Sequence, residues 1–403
     1  MGTNASGQKV DVTMIGTLPP VKGISPYCSE LVSLLGKHLR VEFIDFKRLY
    51  PEKLYPGRTE EEDLYPIDLD SINMLRRRML DFCNPLTWIK AGISIQGHIV
   101  HAQWWSGVLA PVYLVVLGLA RLRGKRVIIT VHNVDPHEGG ALLRLLNGCI
   151  LPLGDEFVVH GEACREKLLG KVGAKKKIHV VPHPPFNCVR NAPASGVDAE
   201  AVRGELGMES EGPLLIFFGN IRDYKGLDVL FRALPRVSEN HPGLRLLVAG
   251  QPWVDWEKYE RIIEEEGIGK YVVTRLEHLP FSDLERYIAA SDLAVFPFKH
   301  LDSASGTVTL ARALGKPVVV SEVGDMRALR GPEVLLARPR CPESLAAAID
   351  EALRRNSRMG DTPCPEGTVP PEAEGSETAR GHMLIYRGSA PPVTYHAGGG
   401  QGA

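Results

Sequence analysis

At 403 residues, with 44% hydrophobic and 24% charged residues, the chain has the composition of a globular protein too long for one ordinary core, so two domains are expected. Its 47 basic and 48 acidic residues give a net charge of −1, which speaks against a nucleic-acid partner. The seven cysteines are scattered without a CxxC pair, which argues against a zinc ribbon or a disulfide framework and for a reducing compartment.

The charge is unevenly spread. Residues 1–190 hold 24 Lys and Arg against 18 Asp and Glu, whereas residues 191–403 hold 23 against 30. A basic first half suits an anionic partner, such as a membrane surface or an anionic acceptor.

Val10 to Gly16 reads as a first strand, followed by a turn-rich loop containing Gly23 and an amphipathic helix, Tyr27 to His38, with Leu31, Leu34 and Leu35 on one face. Strand, glycine loop and helix open a Rossmann-like unit. Val41 to Phe46 is the second strand, and Lys47 to Ser71 reads as a polar surface loop. Within it Asp68-Leu69-Asp70 spells an Asp-x-Asp metal pattern, but no hydrophobic strand precedes it. Leu75 to Lys90 mixes Arg76, Arg77, Arg78 and Lys90 with Met79, Leu80, Phe82, Leu86 and Trp88, the pattern of an element lying on a membrane surface. The longest apolar run, Val108 to Ala120, has 13 residues, too few to span a bilayer, and is expected to be a buried helix.

Regular alternation follows. Strands at His98 to Trp104, Arg126 to His132, Glu156 to His160 and Lys177 to Val181 are separated by helices, the pattern of a parallel sheet covered on both faces. A crossing at 183–212 leads to a second run of the same kind. Its strands begin at Leu214, Leu244, Tyr271, Leu293 and Pro317, Val334 to Ala337 offers a further one, and a last helix covers Pro342 to Arg355. The expected fold class is therefore α/β, two tandem Rossmann-like domains facing across a cleft, at 1–190 and 191–355. Residues 356–403, rich in Pro, Gly, Glu, Thr and Ser, read as a low-complexity, disordered tail.

Two loops carry the chemistry. Gly219 to Gly226 follows the first strand of the second domain, and its Arg222 and Lys225 suit a diphosphate, one as a fork and one as a point charge. Ser303, Ser305, Gly306 and Thr307 lie between a strand and a helix, where free backbone N–H groups hold anions. In the first domain His132 ends a strand at the cleft edge. A metal cluster of His132, Asp135, His137 and Glu138 is the less favoured reading of that segment, because Pro136 intervenes and no i, i+4 histidine pair is present. His101, His160 and His183 also end strands and read as structural. No GxGxxG follows either first strand, which argues against a dehydrogenase.

The segments PPVKGISPY, TVHNVDPHE, FFGNIRDYKGLDVL, LRLLVAG, SDLAVFPF and SASGTVTLARALGKPVVVSEVG resemble, in order, those of the family 4 retaining glycosyltransferases of the GT-B fold. The resemblance covers about residues 8–355. It implies a first domain that holds the acceptor and a second that holds a nucleotide-diphosphate sugar, with transfer at retained configuration. It places Arg222 and Lys225 on the diphosphate and Gly23 beside it. It sets His132 against the donor sugar, Leu279 at the base, and Asp302 as a carboxylate on the sugar. The family's second glutamate falls on Leu310. No metal or cofactor is implied. The acceptor expected is a glycan or lipid-linked molecule, with peripheral membrane contact through the first domain, in the cytoplasm at the inner face of the membrane. A GT-B scaffold that binds without turnover and a nucleotide-sugar epimerase are the alternatives.

Overall fold

The computed structural model describes residues 9–21, 23–50, 67–135, 141–186, 198–208, 212–359 and 371–389. Seven strands, β1 (Val12–Gly16), β2 (Val41–Arg48), β3 (Met74–Asp81), β4 (Ile99–Trp104), β5 (Arg126–Val131), β6 (Glu156–Val159) and β7 (Lys177–Val180), form a parallel sheet in the order β3-β2-β1-β4-β5-β6-β7. Helices α1 (Ser25–Gly36), α2 (Pro85–Ser94), α3 (Ala110–Leu122), α4 (Ala141–Cys149) and α5 (Glu162–Val172) connect them.

After α6 (Ala199–Glu205) comes a second parallel sheet: β8 (Leu214–Phe218), β9 (Arg245–Ala249), β10 (Val272–Arg275), β11 (Leu293–Phe296), β12 (Val318–Ser321) and β13 (Val334–Ala337), ordered β10-β9-β8-β11-β12-β13. Helices α7 (Leu227–Asn240), α8 (Glu257–Glu265), α9 (Phe281–Ala290), α10 (Gly306–Ala313) and α11 (Pro342–Met359) complete it. The period of two in each strand feeds two cores. Leu215 and Phe217 of β8 join one, Leu214, Ile216 and Phe218 the other, so the strand reads as an unbroken apolar run.

Three expectations are corrected. Leu75 to Leu80 does not lie on a surface ready for lipid; it belongs to β3. There Arg76 pairs with buried Asp45, and Arg77 pairs with buried Glu42 at 2.6 Å. These buried carboxylates take the guanidinium groups that made the stretch look membrane-seeking. The last helix of the second domain runs to Met359 rather than Arg355.

The disorder expected from residue 356 also fails for 371–386, which form α12 (Pro371–Tyr386) packed on α1 of the first domain. Its Thr378, Ala379, His382 and Ile385 are buried. Tyr386 Oη lies 2.7 Å from His101 Nδ1, and Arg126 donates to the carbonyls of Ile385 and Tyr386 at 2.8 and 3.0 Å. The helix was hidden in the sequence because its apolar residues crowd into the last turn, with Gly375 and Gly381 inside it. Residues 360–370 and 390–403 lie outside the described residues.

The domains also touch directly. Asp325 Oδ1 accepts the Ala163 N–H at 3.0 Å in the first turn of α5, and Lys167 of α5 bridges Asp135 at 2.8 Å and Asp302 at 2.7 Å. Gly161 makes room for the first contact, since a Cβ there would fall 2.1 Å from the Asp325 Cγ. A third contact is apolar: Ile67 on one side and Phe281, Leu310, Ala313 and Leu314 on the other pack against Phe186.

If α12 completes the first domain's core, Ile385→Ala should destabilise the protein by about 2–4 kcal/mol. A urea midpoint equal to that of the parent would show that α12 only rests on the surface.

Candidate active site

The carboxyl ends of both sheets face one cavity of about 470 Å³ between the domains. Its second-domain wall starts at β8. Gly219, with φ of 91°, turns the chain away from the sheet. A Cβ here would sit 2.8 Å from Lys225 Nζ and 2.9 Å from Thr307 Cγ2, so the glycine, the lysine and the start of α10 meet at one point. Lys225 is only 8% exposed, and its ammonium lies 3.5 Å from the Phe218 carbonyl. Burial, with Arg222 adding repulsion, pulls it down to about 7. The Arg222 guanidinium sits 5.2 Å from the Trp253 ring and 5.6 Å from that of Tyr224, which hold its plane beside the cavity.

Ser305 stands at the N-cap position of α10, where its side chain bonds none of the helix's backbone N–H groups; its hydroxyl lies 2.9 Å from that of Thr307. Ser303, Ser305, Gly306 and Thr307 all line the cavity. Two cations and a helix N-terminus therefore converge from two loops of one sheet edge, an arrangement suited to an anion with charge on two centres.

The first-domain wall is neutral. Gly23, with φ of 115°, and Tyr27, His132, His160 and His183 line it. The Tyr27 ring lies 4.5, 5.1 and 5.0 Å from the rings of His132, His160 and His183. Burial, reinforced by the neighbouring imidazoles, holds His132 well below its ordinary value. Burial also takes His160 to about 4 and His183 to about 3. His160 Nδ1–H donates to the Val181 carbonyl at 3.0 Å, leaving Nε2 as a bare acceptor without a partner among the described residues. Neutral imidazoles of this kind accept hydrogen bonds from hydroxyl groups.

Gly23, His132, Arg222, Lys225, Leu279, Ser303, Ser305, Gly306 and Thr307 are thus brought together. Asp302 is not. Its neighbours Leu301 and Ser303 line the cavity, whereas its carboxylate turns out to Lys167. The Asp302 carbonyl accepts the Asp325 N–H at 3.1 Å, and this staple turns the side chain toward α5. Leu310 lines the cavity within the apolar cluster of Phe186 and Phe281. His160 and His183, expected to be structural, are cavity residues; their position at strand ends was the signal available. His101 is buried on Thr130 and Tyr386, as a structural residue. Of the metal alternative, Asp135 is held by Lys167 and Lys171, and His137 and Glu138 lie outside the described residues.

Residues 212–355 match the family model described as Glycosyl transferases group 1. A D-inositol 3-phosphate glycosyltransferase of Segniliparus rotundus is 29% identical over 272 residues, covering 65% of this chain and 59% of that protein. The chain thus spans less than two thirds of that relative's length. Among solved structures, sucrose-phosphate synthase of Thermosynechococcus elongatus aligns with a TM-score of 0.68 at 16% identity, over 94% of this chain and 99% of that one. Anabaena HepE in complex with UDP and glucose aligns with a TM-score of 0.64 at 15% identity, over 94% and 95%. The two-sheet architecture is that of the GT-B glycosyltransferases.

The lysine makes anion binding depend on pH in a definite direction. Below about 7 the empty site already holds the charge; above it the neutral amine must take up a proton on binding. Used as a diphosphate probe, UDP should bind with an affinity that falls about tenfold per unit above about pH 7, until the pKa of the bound state is reached. Lys225→Arg should flatten the profile, because guanidinium does not deprotonate in this range. Titration calorimetry giving the same slope for both proteins would remove Lys225 from the anion site.

Proposed function

We propose that the protein transfers a hexosyl group from a nucleotide-diphosphate sugar, held on the second domain, to a hydroxyl of a glycan or lipid-linked acceptor on the first, with retained configuration. The observation that carries this reading is the buried Lys225 ammonium facing the start of α10 across Gly219. A desolvated cation is costly alone, and an incoming diphosphate offsets that cost. The likeness of residues 212–355 to group 1 glycosyl transferases, and the HepE structure holding UDP and glucose, support the same ligand class.

In the reaction, the bond from the anomeric carbon to the diphosphate oxygen breaks and a bond to the acceptor oxygen forms. The acceptor proton passes to the departing phosphate oxygen. Arg222, Lys225 and the N–H groups of α10 stabilise the charge that develops on the diphosphate, the electrostatic role that a metal fills in other transferases. His132, His160 and His183, kept neutral by burial, accept hydrogen bonds from sugar hydroxyls. Contact between the domains through α5 excludes the water that would otherwise hydrolyse the donor.

A second reading, binding of the nucleotide sugar without turnover, is favoured by one observation. Asp302 faces Lys167 and Leu310 is apolar, so this loop and α10 bring no carboxylate to the cavity from either position. Acceptor-dependent release of nucleotide separates the two. Lys225→Ala and Arg222→Ala should each lower that release by about a hundredfold or more while the melting temperature holds. Near-parental turnover in Lys225→Ala would sink the transfer reading, and tight nucleotide binding without release on any acceptor would establish the second.

A further inference from the structure

The large apolar side chains left exposed among the described residues all fall on one layer of the first domain, helices α2 to α5. On α2 they are Leu86, Ile89 and Ile93, at i, i+3 and i+7, which places them in one stripe along the helix. Leu86 is 74% exposed. On α3, Leu122 is 86% exposed, and on α4 Leu142 and Leu145 are exposed on successive turns. The helices are neighbours, α2 against α3 and α3 against α4, so the stripes form a continuous face. Scattered exposed leucines are ordinary; a concentration of them on one layer is not.

Charge identifies the occupant. Helices α2, α3 and α4 contain no aspartate or glutamate, but carry Lys90, Arg121 and Arg144. Arg123 and Lys125 follow α3 directly. Arg123 donates to the carbonyls of Gly92 and Ile95, and Lys125 to that of Gln96, contacts that keep their charges at the end of the α2–α3 pair. Of these five cations, Arg121 pairs with Asp155. Exposed aliphatic stripes interleaved with cations, and free of acids, match the acyl and headgroup layers of an anionic bilayer.

Position gives the face a purpose. Helices α2, α3 and α4 follow β3, β4 and β5, whose carboxyl ends point to the cleft, so their first turns lie at its rim. Trp105 and Asn133, just beyond β4 and β5, line the cavity itself. We infer that α2, α3 and α4 seat the first domain on an anionic lipid surface along their exposed faces, with the cations at the C-terminal end of the α2–α3 pair on the headgroups and the first turns of the helices leading to the rim of the cleft. The inference goes beyond the transfer reading and is tested by binding alone, so either can fail without the other.

The test is flotation of the full chain with vesicles of phosphatidylcholine containing about a third phosphatidylglycerol, against phosphatidylcholine alone. The chain should float with the anionic vesicles and less so at high salt. L86S/I89S/I93S should lower the partition coefficient on the order of a hundredfold with an unchanged melting temperature, because these side chains face solvent. L122S on α3 gives an independent loss should the triple variant fold poorly. Failure of the parent chain to float at low salt, or equal flotation of parent and variants, would overturn the inference. So would self-association in solution that the triple variant abolishes, since a second copy would then cover the face.

Discussion

Helix α5 is gripped by two aspartates of the second domain, and the cavity depends on that grip. Asp325 accepts an N–H from the first turn of α5, where the helix dipole favours a carboxylate, and Asp302 reaches Lys167 one turn further on. The first contact requires Gly161, since any side chain would occupy the space of the Asp325 carboxyl. Burial of Asp325 raises it to about 6, so the contact is made at some desolvation cost and holds through geometry more than through charge. With α5 fixed, the strand ends that carry His132 and His160 face those that carry Gly219 and Ser303.

The two walls then divide the electrostatic work. The second domain concentrates positive potential at one point by burying Lys225 beside Arg222 and the start of α10. The first domain does the opposite: burial, together with the close packing of its imidazoles on one another and on Tyr27, keeps these histidines uncharged at neutral pH. For the diphosphate sugar proposed above, a cationic first wall would compete for the diphosphate and misplace it, whereas a neutral wall leaves charge on one side of the cavity and hydrogen-bond acceptors on the other.

Much of this was legible in the sequence because parallel sheets announce themselves. The unbroken apolar strands and the glycine-bearing loops after them located both domains, and loops at the carboxyl ends located Arg222, Lys225 and Ser303 to Thr307. What was hidden depended on contacts remote in sequence. Asp302 is one residue from the cavity wall, and only the staple from Asp325 determines which way its side chain turns. His160 looked structural because the ring that draws it to the cavity, Tyr27, is far away in the chain. Helix α12 carries too little apolar periodicity to stand out; the pocket formed by Val181, His101 and α1 selects it. The run at Val108 to Ala120 read as wholly buried, because hydropathy alone does not separate its inward Val112 and Val116 from its outward Leu114.

Leu310 ties the shape of the cavity to domain contact. It lines the cavity, yet it also packs against Phe186 at the crossing, the ring on which Ile67 of the first domain and Phe281 at the start of α9 pack as well. A carboxylate in its place would sit in an apolar cluster and carry a desolvation cost unless a ligand supplied hydrogen-bond donors. Leucine removes that cost and adds apolar surface to the junction between domains. This part of the cavity is therefore defined by packing rather than by hydrogen bonds, and it exists only while the domains touch. A ligand that presses on the Leu310 wall stabilises the junction, and a ligand that needs a polar partner there gains nothing from closure. Selectivity at this end of the cleft then follows from how well a ligand completes an apolar contact between two domains.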